Sequence, residues 1–160
     1  MKKVLMCAPT AFDVVYAINP WMDLNNRPNK ALALKQWENL YDTYIKLGVD
    51  VSLIEQHEDL PDMVFTANGG IIIDNLFISS NFEPIERKPE EILFQNWFRN
   101  NGYNVKTLQN HQSGEGDALF HNNKIYCGYG YRSDLKAYEE ISELIDIEIV
   151  LLKIVNPFFY

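Results

Sequence analysis

The sequence predicts an α+β fold assembled from one recurring strand–strand–helix–strand unit. Three observations predict it. Paired apolar runs meet at Asx-rich turns, as at Asp74-Asn75 and Asn122-Asn123. Stretches with helical apolar spacing follow those pairs, and each such stretch leads into another β-rich run. The unit returns three times at about 45–55 residues, the signature of an internal repeat. Ordinary α+β domains also alternate elements, so the repeat alone does not name an architecture.

The first copy has a strand at 4–8 and a long irregular segment from Pro9 to Asn29. Its helix is expected over 30–47 with Leu34, Trp37, Leu40, Tyr41 and Tyr44 inward. Gly48 stops that helix, and a strand follows over 49–54. The middle copy reads as a hairpin over 70–79 turning at Asp74-Asn75. Pro89 then opens a helix to about Asn100 with Ile92, Leu93, Trp97 and Phe98 inward, Gly102 ends it, and 103–108 returns as a strand. In the third copy a hairpin runs from Asp117 to Cys127 around Asn122-Asn123. Ser133 or Asp134 caps a helix to about Ile145 with Tyr138, Ile141, Leu144 and Ile145 inward, and 147–152 closes the copy.

The 160 residues suffice for one ordinary domain, and 47% hydrophobic with 13% aromatic residues indicates a packed core. A formal charge of −8 argues against nucleic acid or an anionic membrane as partner. Lys2 and Lys3 precede only the apolar run 4–8, too short for a signal peptide or a membrane span, so a cytoplasmic location is expected. Two cysteines make no disulfide framework. Cys7 and Cys127 each lie in an apolar strand-like run and read as buried, inert thiols. His57, His111 and His121 read as solvated loop residues, and no pair has metal-site spacing.

Each copy carries a polar cluster near its hairpin: Ile18-Asn19-Pro20 (an approximate match), Phe65-Thr66-Ala67-Asn68, and Gly114-Glu115-Gly116-Asp117. Equivalent loops of a pseudo-symmetric assembly converge, which is one way to build a pocket. Glu115, between glycines that let the backbone approach a ligand, suits a planar guanidinium, or else belongs to a solvated acidic turn. Asp117 does the same or holds the turn. Asn19, Asn68 and Asp62 are polar candidates that turns also favour. Arg87 and Arg132 suit a substrate carboxylate, or form surface ion pairs.

The strings Ile18-Asn19-Pro20-Trp21-Met22, Pro61-Asp62-Met63-Val64-Phe65-Thr66-Ala67-Asn68, Glu86-Arg87, Gly114-Glu115-Gly116-Asp117-Ala118-Leu119 and Gly128-Tyr129-Gly130-Tyr131-Arg132-Ser133 resemble the guanidine-modifying amidinotransferase and arginine deiminase superfamily. The resemblance covers essentially the whole chain and is strongest to the arginine dihydrolase branch. It implies a pseudo-fivefold α/β propeller (a pentein) of ββαβ units, with about three of five blades present as one truncated domain over 1–160. It also implies Cys-dependent hydrolysis through a covalent amidino intermediate, taking arginine to ornithine, ammonia and carbon dioxide without metal or organic cofactor. Glu115 would grip the guanidinium as the catalytic candidate. Asn19 and Asn68 would line the reacting end, Arg87 and Arg132 would clamp the α-carboxylate, and Asp117 would contribute to the substrate site. Deiminase relatives carry Asp where this chain has Asn68, which favours the dihydrolase.

In the family a general-base His follows an aromatic string resembling Asn156-Pro157-Phe158-Phe159-Tyr160, and the Cys nucleophile lies further on. Neither Cys7 nor Cys127 matches it, so the expectation is a catalytically incomplete fragment that self-associates or pairs with a C-terminal half. The rivals are a non-catalytic arginine-binding or subunit-pairing module and a dimethylarginine hydrolase or amidinotransferase relative.

Overall fold

The computed structural model describes residues 2–159, so Tyr160, the last residue of the terminal aromatic string, lies outside the described residues. The elements run β1 Lys3–Cys7, α1 Lys30–Lys46, β2 Asp50–Ile54, β3 Gly70–Ile73, β4 Leu76–Ser79, α2 Lys88–Asn100, β5 Asn104–Lys106, β6 Ala118–His121, β7 Lys124–Tyr129, α3 Leu135–Ser142 and β8 Glu148–Lys153. The fold is α+β, and the chain divides into two compact units, residues 1–66 and 67–160.

In the first unit β1 and β2 pair in parallel, Lys3 opposite Asp50 through Cys7 opposite Ile54, with α1 as the crossover. Among the described residues this copy shows no antiparallel hairpin, unlike the other two. Asn29 caps α1 by accepting from Leu32 N at 3.0 Å, and Gly48 closes it at φ +71°. The inward face expected of α1 is not buried. Leu34 and Leu40 are exposed and Trp37, Tyr41 and Tyr44 only half-buried. The apolar arc of the helix is wider than a two-stranded sheet can cover.

Within the irregular segment of this unit, Asp13 is a fixed point. Its carboxylate accepts from Arg27 Nε at 2.9 Å and Nη2 at 2.5 Å, from Lys30 Nζ at 2.9 Å and from Val14 N at 2.8 Å. The Lys30 bond is the largest influence on its acidity; burial opposes it, and with Arg27 and Val14 the net effect holds the carboxyl below the usual 3.8. A depressed folded value means that this stabilisation is present above the unfolded pKa and is lost as pH falls through the folded one. Asp13→Asn is therefore expected to lower stability at neutral pH. The gap should close toward strongly acidic pH in urea denaturation followed across pH.

The second unit holds two three-stranded sheets, β3-β4-β5 and β6-β7-β8, each an antiparallel hairpin followed by a helix and a parallel return strand. The hairpin turns fall where the sequence places them, with Asp74, Asn122 and Asn123 in the left-handed region that Asx residues tolerate. Both motifs share one core: Ile71, Ile78, Leu108, Ala118, Ile125, Cys127, Ala137, Tyr138 and Ile141 are buried together. Around α2, Phe77 stacks on Phe98 at 3.7 Å between ring centroids. The inward face expected of α2 needs correction, since Ile92 is exposed and the buried row is Glu90, Phe94 and Phe98 with Gln95. In α3, Tyr138 and Ile141 are buried as expected, Leu144 is exposed, and the helix ends three residues early. His121 ends β6 rather than lying in a loop.

Candidate functional site

Three polar stretches of the second unit meet around the 3-10 turn Gly114–Gly116. The turn is braced before any ligand arrives. Gln112 donates Nε2 to the Gly114 carbonyl at 2.8 Å and accepts from Gly114 N at 2.7 Å. Gly114 sits at φ +64°, and a Cβ there would lie 2.5 Å from the Ala67 carbonyl, so glycine is required. The preceding loop is tied to α3. Glu140 accepts from Gln109 N, Asn110 N and Asn110 Nδ2 at 2.7, 2.9 and 2.6 Å. Burial alone would raise its pKa, but these three bonds outweigh it and the carboxyl titrates below its ordinary value.

Glu115 projects from this turn half-buried, its Oε1 accepting from Ile72 N on β3 at 3.3 Å. Burial pushes its carboxyl up, against a smaller downward effect of that bond. Asp117 is buried and faces Arg132, whose Nε lies 2.9 and 3.0 Å from its two oxygens. Ser133 Oγ donates to Asp117 Oδ2 at 2.6 Å and accepts from Ser113 N at 3.2 Å. Arg132 Nη2 also donates to the Gly116 carbonyl at 3.0 Å. Gly116 is where the groups crowd together: a Cβ there would stand 2.2 Å from Asn68 Nδ2 and 2.9 Å from Arg132 Nη2.

Asn68 lies in the short 3-10 turn Thr66–Gly69, its Nδ2 donating to the Ser113 carbonyl at 3.2 Å and its Oδ1 accepting from Arg87 Nη1 at 3.2 Å. Its backbone carbonyl accepts from Ser80 Oγ. Arg87 is buried at the start of α2, forked onto Glu90 through Nε at 2.9 Å and Nη2 at 2.8 Å, with its guanidinium carbon 4.3 Å from the Phe82 ring centre. Sequence reasoning missed Glu90, which is fully buried. The available signal was an Arg three residues before an acid at a helix start.

Asn68, Arg87, Asp117 and Arg132 thus belong to one hydrogen-bonded network of the second unit through Ser113 and Ser133, with Glu115 on the adjoining turn. In the first unit Asn19 accepts from Trp21 N at 3.0 Å and Met22 N at 3.1 Å, shaping the Ile18–Met22 turn. There Asp62 is buried and accepts from the Tyr16 hydroxyl at 3.0 Å. Both cysteines are fully buried, as expected. Burial, helped by the Asp117 charge, pushes the Cys127 thiol up to about 12, which leaves almost no thiolate at neutral pH.

The family profile of the eukaryotic N,N dimethylarginine dimethylhydrolases matches residues 6–157. The chain belongs to this family. Within the dimethylarginine dimethylhydrolase family, the chain is 39% identical over 159 residues to the N(G),N(G)-dimethylarginine dimethylaminohydrolase of Mycobacterium tuberculosis. It is also 39% identical over 163 residues to ArgZ of a Synechocystis species, a bifunctional arginine dihydrolase/ornithine cyclodeaminase. The solved N-terminal domain of ArgZ, bound to substrate, superposes with a TM-score of 0.93 over 99% of the chain. A dimethylarginine dimethylaminohydrolase structure at 17% identity shares the fold, with a TM-score of 0.81. The chain spans about half the mycobacterial relative (53%), 23% of full-length ArgZ and 60% of the solved ArgZ domain chain. Recognition from the sequence strings holds at the level of this family, whose profile is named for the dimethylarginine rather than the dihydrolase branch. Among the described residues no helix is long and apolar enough to cross a membrane, and no three His, Cys, Asp or Glu side chains group as metal ligands.

Proposed function

We propose that this chain forms the substrate-holding part of a Cys-dependent hydrolase acting on the guanidino group of arginine, with arginine dihydrolysis as the leading reaction. The observation that carries the reading is Glu115. Its carboxylate is held partly out of water, and among the described residues it accepts from the Ile72 amide rather than from a cationic side chain, on a turn bordered by Asn68 and Arg132. A planar guanidinium supplies the charge and the paired donors that such a carboxylate accepts. Asn68 lines the reacting end, and Arg132, aimed by Asp117, and Arg87, bonded to Asn68, clamp the α-carboxylate.

The reaction adds two waters to arginine and yields ornithine, two ammonia and carbon dioxide through a thioester-like amidino adduct on a cysteine. Full burial and a raised thiol pKa argue against Cys127 as that cysteine, and full burial against Cys7. We place the nucleophile and its histidine base in the part of the relatives' length that this chain does not span. The whole would be a five-bladed propeller, with residues 1–160 as its N-terminal part and about three of its blades. Exposed Leu119, Leu152 and Val155 in the second unit favour pairing with that remaining half, or with a second copy.

Calorimetry on the purified chain tests the reading. Heat of binding is expected with L-arginine and none with L-lysine, which offers a compact ammonium instead of a planar fork. No heat with any guanidino amino acid would overturn it. The family profile favours a second reading, a dimethylarginine hydrolase, whereas Asn68 favours arginine. Tighter binding of dimethylarginine than of arginine would decide for the second.

A further inference from the structure

We infer that Glu90 is a positioning residue for the substrate pocket, acting through Arg87 to fix the side-chain amide of Asn68. The inference deepens the guanidino-binding reading and rests on it. Glu90 is fully buried in the first turn of α2, where the helix N-terminus favours a carboxylate. Its two oxygens take Arg87 Nε and Nη2 in a parallel fork, and Phe82 lies against the guanidinium face. Fork and ring together fix the guanidinium plane and therefore the place of Nη1. That nitrogen donates to Asn68 Oδ1, which turns the amide so that Nδ2 reaches the Ser113 carbonyl and faces Gly116.

The relay runs Glu90, Arg87, Asn68, Ser113, and it ends one residue from Gly114, where the turn bearing Glu115 begins. An Asp in place of Asn68 would set a carboxylate oxygen against the Ser113 carbonyl at the same separation, so the relay reads an amide. A buried ion pair adds little stability over apolar residues of equal volume. Its position behind Asn68 therefore speaks for geometry rather than for stability.

The test combines L-arginine calorimetry with 15N NMR of the Asn68 side-chain amide, identified by its disappearance in Asn68→Ser. Glu90→Gln is expected to retain its circular dichroism spectrum, to weaken L-arginine binding about tenfold, and to remove the exchange protection of the Asn68 amide. A folded Glu90→Gln chain with unchanged amide protection and affinity would sink the inference. In an Arg87→Gln background, adding Glu90→Gln should leave the Asn68 signals where Arg87→Gln alone puts them. A further change there would mean that Glu90 acts by another route. That pair also answers the question should Glu90→Gln fail to fold alone. If the wild-type chain gives no heat with arginine, the functional reading fails, while the amide signals still report on the relay.

Discussion

Glu115→Gln is expected to weaken L-arginine binding by on the order of a hundredfold, about 3 kcal/mol, while leaving the chain folded. The substitution keeps the shape of the side chain and one acceptor oxygen but removes the charge. A charge-assisted pair in a partly desolvated site is worth far more than a surface pair, because water competes less for each partner. The pH dependence gives an independent signature. Burial raises the Glu115 carboxyl above its ordinary 4.5, so wild-type binding should fall as acid protonates the group, starting at higher pH than an exposed glutamate would allow. In Glu115→Gln that acid limb should vanish. Calorimetry over a pH series checks both, and a variant that binds as well as wild type would remove Glu115 from the site.

Stability should move the other way. A carboxyl whose folded pKa is raised favours folding in acid, and that contribution is lost as pH rises through the folded value. Near neutral pH Glu115 therefore opposes folding, so Glu115→Gln should melt at or above the wild-type temperature. Loss of binding with no loss of stability separates a functional carboxylate from a structural one.

Much of this arrangement was legible in the sequence because it depends on local chemistry. Asp74-Asn75 and Asn122-Asn123 announce their hairpins, and positive φ at Asp74, Asn122 and Asn123 is the reason. Gly48 and Gly102 mark helix ends in the same way. Helix faces were harder to read. In α2 the buried row begins with Glu90, and a charge at its head disguises the Glu90, Phe94, Phe98 stripe as a solvated face. In α1 apolar spacing implied burial, yet how much is buried depends on the width of the sheet beneath, which spacing does not encode. The candidate residues could be named singly from the sequence, but the hydrogen bonds that join them could not. Asn68 and Ser113 are 45 positions apart, and nothing in either string says that an amide on one bonds the carbonyl of the other.

Asp117→Ala should cost about 3 kcal/mol of stability. The Asp117 side chain is only 2% exposed and accepts Arg132 Nε on both oxygens and the Ser133 hydroxyl on one. Truncation takes the carboxylate from Arg132 and leaves the buried Ser133 hydroxyl without its acceptor. Because Arg132 is 27% exposed, water screens part of the loss, which places the cost at the lower end for a broken buried pair. Asp117→Asn keeps the volume and one acceptor, so about 1 kcal/mol is expected. Urea denaturation of the three chains ranks them, and near-equal Ala and Asn variants would show that volume matters more than charge. Two acids separated by one glycine then behave oppositely: Asp117 is stabilised by neighbours it already has, whereas Glu115 is held against burial. The paired acid fixes Arg132 relative to Gly116, and under the guanidino-binding proposal the half-buried Glu115 is left to take its cation from the ligand.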